Sequence, residues 1–450
     1  MPELLTSVIP ALAKNQETIT PPQWPLPLQG YLSTLPSKFP QATPAGAPTP
    51  IFARCECAEA PGFQPPTHQL ALSMNWNDIL QHWPFMVFIL LCASVVIHLF
   101  YQLFFFLRLV LFKTQDKFQS QTHPVSVVIC ARDEAHNLEK NLPPILTQQY
   151  PTTHEVMVVN DNSFDDTKFF LEELEKIFRH LKPVNLTQEA KHIPGKKYPL
   201  SIGIKSSKYE VMLLTDADCR PASEWWIQKM QDAYHDGHEI VLGYGAHDKR
   251  PGFFNKLVRF ETFHTALQYL SYALAGMPYM GVGRNLSYRK SLFYAAKGFS
   301  SINHIPGGDD DMFINKVANK HNTAIVVDPD AFTYSEPAEN FSQWWKQKNR
   351  HYSTAKFYKP LHQFLLGLYA LSNWMFWPLL VTAAIFYHWQ LALPLLAVRW
   401  LAQGIVMGKA MQRLKENDLI PLFWLFDIWQ FFYYIIFSLS LFVKPKSSWK

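Results

Sequence analysis

Val211 to Asp218 reads V-M-L-L-T-D-A-D, and this stretch decides the fold. Four apolar residues and a β-branched threonine predict a parallel strand, spanning Tyr209 to Thr215 and buried on both faces. Two carboxylates then arrive where the strand ends, at the carboxyl edge of a sheet, where open α/β sheets bind ligands. Asp216 and Asp218 are two apart, so at a strand-to-loop turn they can converge on one divalent cation. Hard oxygen ligands of this kind suit Mg²⁺ or Mn²⁺ carrying a diphosphate. Alone, an Asp-x-Asp is more often a solvated turn with a helix-capping aspartate, so the rest of the chain has to decide.

Working outward, Val125 to Ala131, Glu155 to Asn160 and Glu239 to Tyr244 also read as strands, separated by polar, helix-like segments such as Asp165 to His180. That alternation, from Pro124 to about Asp330, predicts an α/β domain with a doubly wound, mainly parallel, Rossmann-like sheet. The first strand ends A-R-D-E, where backbone groups, Arg132 and Glu134 can meet a nucleobase. The second ends V-V-N-D-N-S-F-D-D-T, where Asp161 can accept from a base or ribose hydroxyl while Asp165 or Asp166 caps the next helix. Lys196, in Gly195-Lys196-Lys197, can meet a phosphate as a point charge. Gly308 to Asp311, G-D-D-D, packs three carboxylates before a helix-like run. Like charges so close raise one another's pKa, a way to make a general base, although acidic residues also favour helix amino termini for structural reasons. In Gln343 to Tyr352, Q-W-W-K-Q-K-N-R-H-Y, Gln347 and Arg350 share a helical face able to hold a diphosphate, with Trp344 or Trp345 toward a lipid interface.

The 450-residue chain is 48% hydrophobic and 15% aromatic, yet its mean hydropathy is only −0.07, so the apolarity is concentrated in segments. Residues 84–112 are long enough to cross ~30 Å of hydrocarbon. Arg108, Lys113 and Lys117 at their end predict a cytoplasmic domain. That domain covers residues 122–359, with an interfacial helix at 341–355, and residues 361–443 supply two or three further spans. Phe364 to Tyr387, Leu391 to Met407 and Leu419 to Val443 are the candidates. Three crossings there would put Lys444, Lys446 and Lys450 outside, against the charge rule, so one segment reads as interfacial or re-entrant. Arg399 and Asp427 can pair within the bundle, or Arg399 can snorkel. Residues 1–73 are Pro-rich and without period, which predicts a disordered tail. Met74, just ahead of the first span, would make a natural start. The net charge of +5 is mild, and no basic run interleaves with aromatics, which excludes a nucleic-acid surface. The 5 cysteines lack zinc or disulfide spacing.

The order of these motifs, from Pro124 to Tyr352, resembles the inverting family 2 glycosyltransferases with a GT-A fold, membrane-bound members included. The resemblance implies that Glu134 and Asp161 hold the uridine of a UDP-linked sugar. It further implies that Asp216 and Asp218 take the diphosphate and a Mg or Mn ion, and that Asp310, second of the pair Asp309-Asp310, is the catalytic base. Gln347 and Arg350 match the family's Gln-x-x-Arg-Trp signature, but its tryptophan is His351 here, and a third acid, Asp311, follows the pair. The implied activity is transfer of a sugar from a nucleotide-sugar donor to a lipid-associated acceptor at the membrane. Extension of a glycan is the second reading, and the modest number of spans leaves little to build a channel for it. A haloacid-dehalogenase phosphohydrolase also uses strand-Asp-x-Asp, but near its amino terminus, whereas two strands precede the motif here. An inactive membrane scaffold is the remaining alternative.

Overall fold

The computed structural model describes residues 76–113, 123–188, 193–235 and 237–438. The tail at 1–73, Met74, Lys117 and residues 439–443 of the last apolar segment lie outside the described residues.

In chain order, helix α1 (Trp76–Phe100) continues through a π-helical turn to Leu111. Strand β1 (Val125–Ala131), α2 (Ala135–Leu146), β2 (His154–Asp161), α3 (Thr167–Ile177), β3 (Leu181–Leu186), α4 (Lys197–Ser206) and β4 (Val211–Asp216) follow. Next come β5 (Cys219–Pro221), α5 (Trp226–Gln231), β6 (Ile240–Leu242), β7 (Gly245–His247), α6 (Phe253–Leu274), β8 (Leu286–Arg289) and α7 (Lys290–Ala295). The chain continues through α8 (Asp311–Val317), β9 (Thr323–Ile325), β10 (Thr333–Ser335), α9 (Phe341–Ala355), α10 (Pro360–Ala383), α11 (Trp389–Arg413) and α12 (Phe423–Ser438).

A seven-stranded sheet runs in the order β3-β2-β1-β4-β8-β6-β9. β1 to β4 are parallel, and β8 is antiparallel to both of its neighbours. Alternate residues of β4 feed two cores. Val211 and Leu213 join α2, α3 and α5 on one face, while Met212 and Leu214 join α4, α6 and α8 on the other. That double burial is why the strand reads as an unbroken apolar run. Close packing fixes Gly203 of α4, where an added Cβ would stand 2.8 Å from Val128 and 2.9 Å from Val159. A second, three-stranded sheet runs β5-β10-β7. It begins at Cys219, directly after the acidic loop.

Three helical runs are long and apolar enough to cross a membrane: His82–Leu111, Pro360–Arg413 and Asn417–Phe437. The middle run folds back on itself. His388 is extended (φ −143°, ψ 108°), and the Arg399 guanidinium donates to Asn373 at 3.0 Å, although 26 residues separate them. A straight helix would hold those residues ~39 Å apart. Arg399 is fully buried and pairs with Asp427, donating to both carboxylate oxygens at 2.5 and 2.7 Å, while Gln403 and Trp400 donate to the same carboxylate. Of the two expectations for Arg399 the pair is realised, because an unpaired charge among apolar helices is costly. α12, which carries Asp427, also packs on the catalytic domain, with Phe426 stacked on Phe260 of α6 at 4.2 Å and Phe437 tilted against Trp345 of α9 at 5.0 Å.

Candidate active site

Between β1 and β4 the strand order reverses, because the chain winds outward to β3 and then returns to the other side of β1. Loops leaving the carboxyl ends of adjacent strands diverge at such a point and open a crevice. Of the predicted residues, Lys196, Asp216, Asp309 and Asp310 line it.

On one wall, the loops after β1 and β2 are stapled together. Asp133 and Asn162 both adopt left-handed backbone (φ 53° and 54°), a conformation that Asp and Asn tolerate better than most residues. The Asp133 N–H donates to Ser163 Oγ at 2.9 Å, and Phe164 N–H donates back to Asp133 Oδ1 at 2.7 Å. Of the two capping candidates Asp165 is the one used: it accepts from Thr167 N–H, from the Thr167 hydroxyl and from Ala135 N–H of the neighbouring loop. Asp166 occupies the N-cap position without a side-chain bond. Asp161 is buried, with Arg132 Nη1 3.9 Å away, and Glu134 occupies the N-cap position of α2, its carboxylate accepting from the Asn137 side chain.

Lys196 stands at the centre. Its ammonium lies 2.7 Å from Asp216 Oδ1 and 3.4 Å from Asp309 Oδ2. Burial opposes the charge, but Asp216, Asp309 and Asp310 outweigh it and hold the Lys196 pKa well above its usual range. Burial would likewise raise Asp216, yet Lys196, then Arg284 and Arg350, keep it ionised with a lowered pKa. Lys197 is turned away and fully buried, donating to the carbonyl of Ile305.

Asp216, Asp218 and Cys219 bring one potential ligand atom each within 4.8 Å of one another. Burial, and then the charge of Asp216, push Asp218 up to about 6, the strain a divalent cation would relieve. Cys219 is buried with its thiol pKa raised, and its Sγ donates to Asp218 at 3.4 Å, so the two carboxylates are the oxygen donors that fit Mg²⁺ or Mn²⁺.

The acidic triplet divides its labour. Gly307 and Gly308 (φ 83° and 85°) turn the chain sharply into it. Asp311 is buried and accepts from the hydroxyls of Thr354 and Tyr358, the latter at 2.7 Å, which ties α8 to α9 and to the approach to α10. Asp310 accepts from Gly283 N–H at 2.8 Å and from Asp311 N–H at 2.8 Å. Burial, then Asp309 and Asp311, push Asp310 up to about 7.

From α9, Arg350 is partly buried and its charge bears on Asp216. His351 is solvent-exposed, and the protein around it, then the cations of Arg350, Lys348, Arg284 and Lys196, lower its pKa. Gln347 is exposed on α9, and Trp344 is fully buried against Tyr433 and Phe437 rather than directed outward. Sequence reasoning missed Gly283 and Arg284. Their signal was G-V-G-R-N, Gly281 to Asn285: two glycines and a cation ahead of a strand at the site's edge.

Two family profiles match the chain: Glycosyl transferase family 2 over residues 126–295 and Glycosyl transferase family group 2 over residues 229–442. Residues 126–442 thus carry a family 2 glycosyltransferase domain with a GT-A sheet. Among its relatives, a probable glycosyltransferase YdaM of Bacillus subtilis is 26% identical over 237 residues, covering 50% of this chain and 54% of that protein. The glycosyltransferase AglE of Haloferax volcanii is 28% identical over 120 residues, 26% of this chain and 38% of that one. A beta-monoglucosyldiacylglycerol synthase of Nostoc is 30% identical over 111 residues, 24% and 23% of the two chains. The chain thus spans about half the length, or less, of these relatives. A mannosyltransferase of Pyrobaculum calidifontis, solved with GDP-mannose and Mn²⁺, superposes with a TM-score of 0.49 at 19% identity, covering 77% of this chain and 99% of that one.

Proposed function

We propose that the protein is an inverting transferase that moves a sugar from a nucleotide-sugar donor, UDP-linked, to a hydroxyl or phosphate of a lipid-associated acceptor at the membrane surface. The observation that carries this reading is the convergence on Lys196 of Asp216, from the strand-end motif, and Asp309, from the triplet more than ninety residues later. Arg132, Glu134 and Asp161 line the wall suited to a base and ribose. Asp216 and Asp218 would hold the divalent cation, Mg or Mn, which when bound supplies positive charge against the leaving diphosphate. Lys196 and Arg350 add to that field from the protein itself.

Asp310 is the base. It is the member of its triplet whose side chain is held only by two backbone N–H groups, and its raised pKa suits proton removal near neutrality. Asp311 is committed to Thr354 and Tyr358. The acceptor hydroxyl would lose its proton to Asp310 as its oxygen attacks the anomeric carbon from the face opposite the diphosphate. The bond to the diphosphate breaks as the new one forms, and configuration inverts.

A lipid-associated acceptor is supported by the position of the triplet, one hydrogen bond from Tyr358 and so from the start of α10, and by the lipid product in the name of the Nostoc relative. We further place α1 and the α10–α11 hairpin as the crossing helices and α12 alongside the domain. Three crossings return the chain to the catalytic side, as the final lysines require under the charge rule. The test is incubation of membrane-reconstituted protein with a panel of nucleotide sugars and extracted lipids. Released nucleoside diphosphate together with one labelled sugar per lipid is expected. A labelled polymer would overturn the acceptor, and no turnover with any donor would overturn the activity.

A further inference from the structure

We propose that Arg284 binds the diphosphate of the donor from the side opposite Lys196, and that His247 and the three-stranded sheet exist to position it. The inference rests on the transferase reading and extends it to residues that no part of that reading assigns.

The second sheet is built of three-residue strands, most of whose residues are buried. Its register sets Cys219 opposite Ser335 and Ser335 opposite His247, making one row across β5, β10 and β7. The first member of that row immediately follows Asp218. The other two grip Arg284: its Nη1 donates to Ser335 Oγ at 3.0 Å and lies 3.3 Å from each ring nitrogen of His247, while Ser335 Oγ is 3.0 Å from His247 Nδ1. Since Arg is a donor only, this arrangement needs a neutral imidazole and a serine that accepts from the guanidinium. The backbone is held as firmly, because the Arg284 carbonyl accepts from the hydroxyls of Thr215 and Thr333, each at 3.0 Å. Gly245 gives the side chain its room, since a Cβ there would stand 3.0 Å from Arg284 Cβ and 3.4 Å from its Nε.

This anchoring sets Arg284 beside Asp216, through Thr215, and next to Gly283, which touches Asp310. A guanidinium held from behind, facing two carboxylates that it does not pair with directly, is a preorganised site for an anion brought in with a cation. Lys196 offers a point charge from one side, and Arg284 offers a planar fork from the other. Arg284 is therefore a binding and catalytic residue, and His247 a positioning residue that acts through it.

The test is calorimetric titration of the full-length protein in detergent with UDP and Mn²⁺, alongside donor KM and kcat. Arg284→Met should weaken UDP about 10- to 100-fold, the loss expected for a hydrogen bond to a charged group. Arg284→Lys, which keeps the charge and most of the volume, should fall between. His247→Leu should raise donor KM without changing the thermal midpoint, and His247→Gln, which restores an acceptor, should recover most of it. Wild-type UDP affinity in both Arg284 variants, with Asp218→Asn still impaired, would overturn the assignment. Failure of the wild-type protein to bind UDP or GDP would overturn the transferase reading, and this inference with it.

Discussion

Two clusters of charge, one in the helical bundle and one in the crevice, are built on opposite principles. In the helical bundle Arg399 faces Asp427 one to one, with both carboxylate oxygens occupied by the guanidinium and further donors from Gln403 and Trp400. In the crevice Asp216, Asp309 and Asp310 crowd around the single ammonium of Lys196, with Asp218 close by. The first set is neutral and satisfied, as a structural ion pair among apolar helices must be. The second crowds four carboxylates together, and two of them, Asp218 and Asp310, have raised pKa values, the mark of a site arranged for chemistry. The contrast separates charge that holds the fold from charge that does chemistry.

The largest expected effect is on the reactive side. Asp310→Asn should lower turnover by ~10²–10⁴-fold while nucleotide affinity is kept, and wild-type turnover would show that another group takes the proton. In the bundle, Asp427→Leu should cost roughly 3–5 kcal/mol by stranding the Arg399 charge, and the Arg399→Leu/Asp427→Leu pair should recover most of it, read as the thermal midpoint in detergent. Asp218→Asn should do the reverse in the crevice, raising the metal-free midpoint while lowering activity, because it removes one of the crowded charges. A lowered midpoint would mean that this carboxylate is structural.

The same asymmetry sets a pH dependence. Asp218 and Asp310 are raised to about 6 and about 7 from an ordinary 3.8, so the folded protein holds their protons more tightly than the unfolded chain. Their charging therefore costs stability, a cost absent below pH ~4 and complete above about 7. The metal-free midpoint should fall over that window, and Mn²⁺ should restore more of it at pH 8 than at pH 5. kcat/KM should rise with pH through about 7 as Asp310 loses its proton. The smallest effect concerns Tyr358→Phe, which removes one of two hydroxyls on Asp311 and should cost ~1 kcal/mol with little change in donor affinity.

How much of this was legible in the sequence follows from how locally each feature is encoded. β4 and its acidic tip could be read because a strand buried on both faces has no polar residue until it ends. The same holds for Asp161 at the tip of β2, and Phe341–Ala355 forms the helix expected at 341–355. Three-residue strands carry no period, so β5, β7 and β10, and with them His247, were invisible. Lys196 was named from the sequence, and one residue of helical rotation is what sends it to the carboxylates and Lys197 to the Ile305 carbonyl. The break at His388 was readable, since the expected spans end at Tyr387 and resume at Leu391, and the bonds of Arg399 to Asn373 and Asp427 show how the two arms return on one another.

The last segment of α1 also has a practical bearing. Phe105 stacks on Tyr272 of α6 at 4.3 Å, Phe106 meets His264, and Arg413 donates to the Val110 carbonyl. Helix and domain thus share one hydrophobic interior, so scissors placed at residue 123 would expose a sticky aromatic face, and an excised soluble half should precipitate unless that face is redesigned.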